Sequence, residues 1–90
     1  MLADEYIENL SHALMVYKGR NGYGIYEGID GCKRLARELG YGLKDYSEKE
    51  RNDVLQNSYS VICVRFYGLK PPISAKEWVK EIMKTWGENE

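Results

Sequence analysis

The sequence predicts an α+β domain: a small sheet packed by three to four helices, in the approximate order α-β-α-α-β-α. Three observations carry that expectation. Residues 59–67 (YSVICVRFY) concentrate β-branched and aromatic side chains as no other stretch does, which is strand composition. Apolar residues elsewhere recur at spacings of three and four, the period of an amphipathic helix. Glycines stand where those periodic runs stop, at Gly19, Gly40 and Gly87.

The predicted strand at 59–67 is the organising element. Alternation places Tyr59, Val61, Cys63 and Tyr67 on one face, interrupted by Arg65, and Ile62, Val64 and Phe66 on the other. Both faces are largely apolar, so both need cover, and such a strand belongs inside a fold.

The first helix is predicted from Leu2, Tyr6, Ile7, Leu10, Ala13, Leu14 and Tyr17. A hairpin is the competing reading, with 13–18 as a strand and Arg20-Asn21-Gly22 as its turn; the unbroken stripe favours the helix. Residues 23–27 form a candidate short strand, weakened by Gly24. Asp30 then reads as the N-cap of a helix whose apolar stripe is Cys32, Leu35, Ala36 and Leu39. Ser47-Glu48-Lys49-Glu50 is a capping box, and the polar surface helix it opens is expected to break at Asn57-Ser58. Gly68 ends the strand and Pro71-Pro72 forces an extended link. A second capping box, Ser74 to Glu77, carries a hydrophobic staple of Ile73 and Trp78. The last helix it opens has Trp78, Val79, Ile82, Met83 and Trp86 on its apolar face.

Ninety residues make one domain, 1–90, of ordinary globular composition: 43% hydrophobic and 30% charged. A chain of this size buries only about 60% of its unfolded surface and depends on good packing. The net charge of −1 argues against a whole-domain nucleic-acid binder, although charge is unevenly placed. Lys18, Arg20, Lys33, Arg34 and Arg37 outnumber Glu27 and Asp30 between positions 18 and 37, whereas Asp4, Glu5 and Glu8 open the chain without a base. Two cysteines, an acidic amphipathic start in place of a basic leader, and no apolar run near the roughly 20 residues of a membrane span predict a cytoplasmic protein with reduced, buried thiols.

Chemistry is sparse. His12 is the single histidine, and His12, Cys32 and Cys63 lack the close ligand pairing of a metal site. Both cysteines sit on apolar faces, as structural thiols do. Gly22-Tyr23-Gly24 has Glu27 where a dinucleotide fingerprint needs its third glycine. Gly19-Arg20-Asn21-Gly22 has the shape of a GXXG backbone clamp but stands too far from the next helix, so a turn accounts for it better. No enzyme, metal or cofactor is expected.

The second helix offers the candidate binding surface. Lys33, Arg34 and Arg37 lie off its apolar stripe, and Arg20, Tyr23, Tyr26 and Tyr41 are near in sequence; together they would form a basic, aromatic patch. The expectation is a small non-enzymatic binding or regulatory protein acting through a protein–protein surface, of the inhibitor or adaptor kind that phages and mobile elements encode, with a protein partner or self-association. The alternative is a nucleic-acid or nucleotide-phosphate binding module that uses the Gly-rich loop and the basic helix.

Overall fold

The computed structural model describes residues 2–21 and 24–87. Helix α1 spans Ala3–Asn21, a 3₁₀ turn covers Gly24–Tyr26, and α2 spans Gly28–Gly42. Helix α3 begins as Glu48–Ser58, continues without a break through a π-helical stretch Tyr59–Val64, and ends in the α-helical turn Arg65–Tyr67. Helix α4 is Ala75–Gly87. No strand occurs among the described residues.

The expected α+β architecture is therefore wrong, and its principal strand is the C-terminal half of α3. Val54, Ser58, Ile62 and Phe66 are buried at intervals of four. Leu55, Tyr59, Cys63 and Tyr67 form a second row at the same interval, with Cys63 buried and the others packed against the core. A row spaced by four drifts around a helix of about 3.6 residues per turn. The wider i→i+5 turn of a π-helix winds it back, so both rows keep facing inward. Strand propensity is a preference for a half-buried surface, and packing overrides it here.

Asn57 and Ser58 do not break the helix. The Asn57 amide donates to the Asp53 carbonyl one turn back at 3.0 Å, and Ser58 is buried with its hydroxyl accepting from the Trp78 indole at 2.8 Å. The second expected strand, 23–27, fails as well: 24–26 is a 3₁₀ turn, and Tyr23 lies outside the described residues.

Helix α1 fulfils the helical reading and excludes the hairpin. Its buried face is Ala3, Ile7, Ser11 and Leu14, with Tyr6, Leu10 and Tyr17 half-buried beside it. Leu2 and Ala13 are exposed, and the helix runs past Gly19. The N-cap position of α2 falls to Glu27, which makes no side-chain cap, and Asp30 sits in the first turn near the positive end of the helix dipole. Both capping serines act as expected. The Ser47 hydroxyl accepts from the Glu50 N–H at 3.2 Å while the Glu50 carboxylate accepts from the Ser47 N–H at 3.3 Å. Ser74 accepts from the Glu77 N–H at 3.2 Å.

Cross-contacts give the chain an up-down-up-down course. Tyr6 lies against Gly42 and Tyr17 against Tyr26, so α2 returns along α1. The Ser11 hydroxyl donates to the Val61 carbonyl at 3.2 Å, and the Lys18 ammonium to the Phe66 carbonyl at 2.8 Å. Helix α1 thus runs alongside α3 and donates to two carbonyls in the C-terminal half of α3, that of Phe66 lying among the last four, which lack intrahelical donors. Trp78 against Ser58 and Trp86 beneath the Arg51 guanidinium reverse α4 along α3. Helices α2 and α4 form the most extensive pairing, and Gly40 permits it: a Cβ there would stand 1.8 Å from the Thr85 hydroxyl and 2.6 Å from the Ile82 carbonyl oxygen.

Cys32, Leu35 and Leu39 from α2, Ile62, Cys63 and Phe66 from α3, and Trp78 and Ile82 from α4 meet in one core with at most 1% of each exposed. No described helix is long and apolar enough to cross a membrane.

Candidate functional site

The inward stripe of α2 leaves Asp30, Arg34, Glu38 and Tyr41 exposed on the opposite side, with Lys33 and Arg37 half-buried at its margin. The fold thus gathers Lys33, Arg34, Arg37 and Tyr41 on the outer half of one helix. Arg20 is exposed on the last turn of α1, and one turn earlier the Tyr17 ring meets Tyr26 edge-on at 6.4 Å. The expected contribution of Tyr23 falls on a residue outside the described set.

Tyr26 is the anchor of this end of the molecule. Its hydroxyl donates to the Glu38 carboxylate at 2.5 Å, and its carbonyl accepts from the Tyr67 hydroxyl at 2.5 Å. Burial and the bond to Glu38 push its phenol up to about 12, the Glu38 charge adding and Arg34 subtracting slightly. Gly31 makes the seat possible, because a Cβ at that position would fall 2.2 Å from the Tyr26 carbonyl carbon. A residue expected to face a ligand is therefore committed to holding the turn against α2 and α3.

Arg37 is likewise occupied. It donates to Glu81 at 3.1 Å, and Lys84 donates to the same carboxylate at 3.0 Å. Glu81 is 3% exposed; burial raises its pKa, but the hydrogen bonds and charges of Lys84 and Arg37 prevail and hold it below the usual carboxylate range. The Lys44 ammonium sits 5.0 Å from the centre of the Tyr41 ring. The three bases of α2 thus stand among three carboxylates: Asp30 and Glu38 one turn either side of Arg34, and Glu81 on Arg37.

Three large apolar side chains close in sequence to the Tyr26–Tyr67 anchor are exposed, with Glu27, Asp30 and Lys70 exposed among them. Ile25 is 58% exposed, Ile29 in the first turn of α2 is 56% exposed, and Leu69, two residues beyond Tyr67, is 94% exposed. Sequence periodicity gave no warning of these three, because each lies where a helix starts or stops.

The second feature missed in the sequence is internal. Cys32 and Cys63, assigned separately to a helix and a strand, face each other as free thiols with their sulfurs 3.7 Å apart and neither exposed. Hydrogen bonding from Cys63 lowers the Cys32 pKa against the opposing effect of burial, with Tyr67 and the Ile73 backbone assisting. The same contact, burial and the charge on Cys32 raise that of Cys63. His12 is exposed on α1, away from this buried pair.

Clefts in the surface run along α1 and α3, lined by Asp4, Glu8, Glu50, Asp53 and Asn57 among others, and none of the basic candidates lines them. No group of three or more His, Cys, Asp or Glu among the described residues is arranged to hold a metal ion. No family model matches the chain, and neither the curated proteins nor the solved structures contain a match.

Proposed function

We propose that this is a small cytoplasmic, non-enzymatic binding protein, of inhibitor or adaptor type, that works through a protein–protein surface. The surface is the end of the molecule built on Tyr26 and Tyr67. The observation that carries the reading is the exposure of Ile25, Ile29 and Leu69 around a turn pinned by two tyrosine hydrogen bonds. Apolar side chains on a fixed frame lose little conformational freedom when they are covered, and that favours protein association over solvation. Lys33 and Arg34, on the first turns of α2, contribute charge near this surface, whereas Tyr41 stands at the opposite end of the helix.

The nucleic-acid alternative has less support, since a phosphate-binding face needs uncompensated positive charge. Here Arg37 is bonded to Glu81 and Arg34 stands between Asp30 and Glu38.

The test compares wild type with an Ile25→Asp/Leu69→Asp variant in affinity capture from native lysate and in sedimentation. A specific partner, or a self-associated species, present with wild type and lost with the folded variant is the expected result. A monomer that recovers the same proteins as the variant overturns the reading. DNA or RNA binding at low salt that Arg34→Glu abolishes would replace it with the alternative.

A further inference from the structure

Cys32 projects from the inward face of α2, and Cys63 from the π-helical stretch of α3, 31 residues later in the chain. Their sulfurs are 3.7 Å apart. A disulfide requires about 2.05 Å, so roughly 1.7 Å of approach separates the dithiol from the bond. Most of that distance is within reach of side-chain rotation and a small helix shift. Cys63 stands where α3 already departs from α-helical winding, and wide turns of this kind concentrate at functional positions.

We propose that Cys32 and Cys63 are a redox modification site, closing to an intramolecular disulfide on exposure to a peroxide and reopening with a low-molecular-weight thiol. Cys32 is the nucleophile and Cys63 the resolving thiol. The Cys32 thiolate attacks one peroxide oxygen; the O–O bond breaks, hydroxide leaves, and a sulfenic acid forms on Cys32. The Cys63 sulfur then displaces that hydroxyl group. The S–S bond forms, and the hydroxide departs as water with the Cys63 proton. Over both steps two thiols and one hydrogen peroxide give one disulfide and two waters, with two electrons passing from sulfur to the peroxide. Two molecules of a reducing thiol reverse the change by exchange and leave as their own disulfide.

The division of roles follows from the surroundings. Cys32 receives hydrogen bonds that favour its thiolate, whereas a charge on Cys63 would be opposed by both burial and Cys32. Neither sulfur is exposed, so the oxidant enters through local opening of the core. Reaction is slower than at a surface thiol, and the pair is shielded from bulky reagents. Formation of the bond would link α2 to α3 through the middle of the core and tie a loop of about thirty residues.

The experiment uses the full chain, reduced and then freed of reductant, and exposes the folded protein to hydrogen peroxide. Intact mass and thiol counting after unfolding are read over time, followed by peptide mapping. The expected result is the loss of both thiols together, a mass lower by two hydrogens, a Cys32–Cys63 cross-linked peptide, and full reversal by dithiothreitol. The oxidised chain carries no disulfide to another chain and melts at a higher temperature. Cys63→Ser is expected to stop at a sulfenic acid that dimedone traps on Cys32. Two thiols persisting in the folded wild type, oxygen added without loss of two hydrogens, or cross-linking between chains would each overturn the proposal. Wild type alone decides it if the serine variant fails to fold.

Discussion

The Trp78 indole N–H donates to the Ser58 hydroxyl at 2.8 Å, with neither residue exposed. This bond holds α4 against the middle of α3, just before the π-helical stretch. Ser58→Ala leaves a buried N–H without an acceptor and is expected to cost about 1–3 kcal/mol. Trp78→Phe removes the donor along with part of the ring. In a double-mutant cycle followed by urea denaturation, the two changes should be non-additive by about 0.5–3 kcal/mol. Additive costs would mean that the two side chains do not interact.

Gly40 should not accept a methyl group. Its Cβ would collide with both Thr85 and the Ile82 backbone, and a backbone atom cannot rotate away. Gly40→Ala is expected to separate α2 from α4 and to destabilise by about 1–3 kcal/mol, despite the better helix propensity of alanine. Gly19→Ala is the control, because nothing lies within 4 Å of a Cβ there. A thermal melt in which both variants match wild type would rule out the close helix approach.

Acid should weaken the α2–α4 contact through Glu81. Its folded pKa lies below the ordinary 4.5, so the unfolded chain takes up a proton first as pH falls. The contribution is therefore whole above about pH 5 and is lost as pH falls through the lowered folded value. Arg37 and Lys84 are 41% and 53% exposed, so water screens the pairs and the expected cost of Glu81→Gln at neutral pH is only about 1 kcal/mol. The stability difference between wild type and Glu81→Gln should shrink on acidification below the ordinary carboxylate value. A difference independent of pH would show that the carboxylate is not held ionised by its neighbours.

Tyr26 gives the opposite sign at the alkaline end. Its folded pKa of about 12 exceeds the ordinary 10, so its contribution is present below pH 10 and is lost as pH rises from 10 through 12. Tyr26→Phe should remove one phenol from the late part of an ultraviolet alkaline titration. The lost hydrogen bond is expected to cost about 0.5–1.5 kcal/mol at neutral pH, toward the lower figure because the pair is exposed. Loss of an early-titrating phenol would contradict the bond to Glu38.

Much of the helical framework was legible, and for local reasons. Ser47 and Ser74 cap where a serine followed by a glutamate predicts. The α2 stripe of Cys32, Leu35, Ala36 and Leu39 is buried as its period requires. Residues 59–67 were misread because valine, isoleucine and tyrosine suit any half-buried surface, strand or helix. The decisive signal ran across the presumed break: Val54, Ser58, Ile62 and Phe66 continue one row at intervals of four, and Ser58 looked polar enough to end it. Its partner Trp78 is 20 residues away, so no local rule could have supplied the reason for its burial.

The candidate patch suffered from the same long-range blindness. Lys33, Arg34 and Arg37 do lie together on the outer side of α2, yet Glu81, 44 residues from Arg37, claims one of them. Tyr26 is a structural anchor for the same reason, its carbonyl meeting Tyr67 41 residues on. The thiol pair followed directly from the misread segment, since a strand and a helix gave Cys63 and Cys32 no common face.

The uninterrupted helix through Ser58 and on to Tyr67 supports the rest of the account. It brings Cys63 to Cys32 and delivers Tyr67 to the Tyr26 carbonyl, the bond that anchors the proposed surface. Backbone carbon chemical shifts for residues 57–67, measured with amide hydrogen exchange, test it directly. Helical shifts throughout, with protected amides at Ile62, Cys63 and Phe66, are the predicted result. Extended shifts over 59–67, or a break at Asn57-Ser58, would contradict the fold, the thiol pair and the proposed binding surface together.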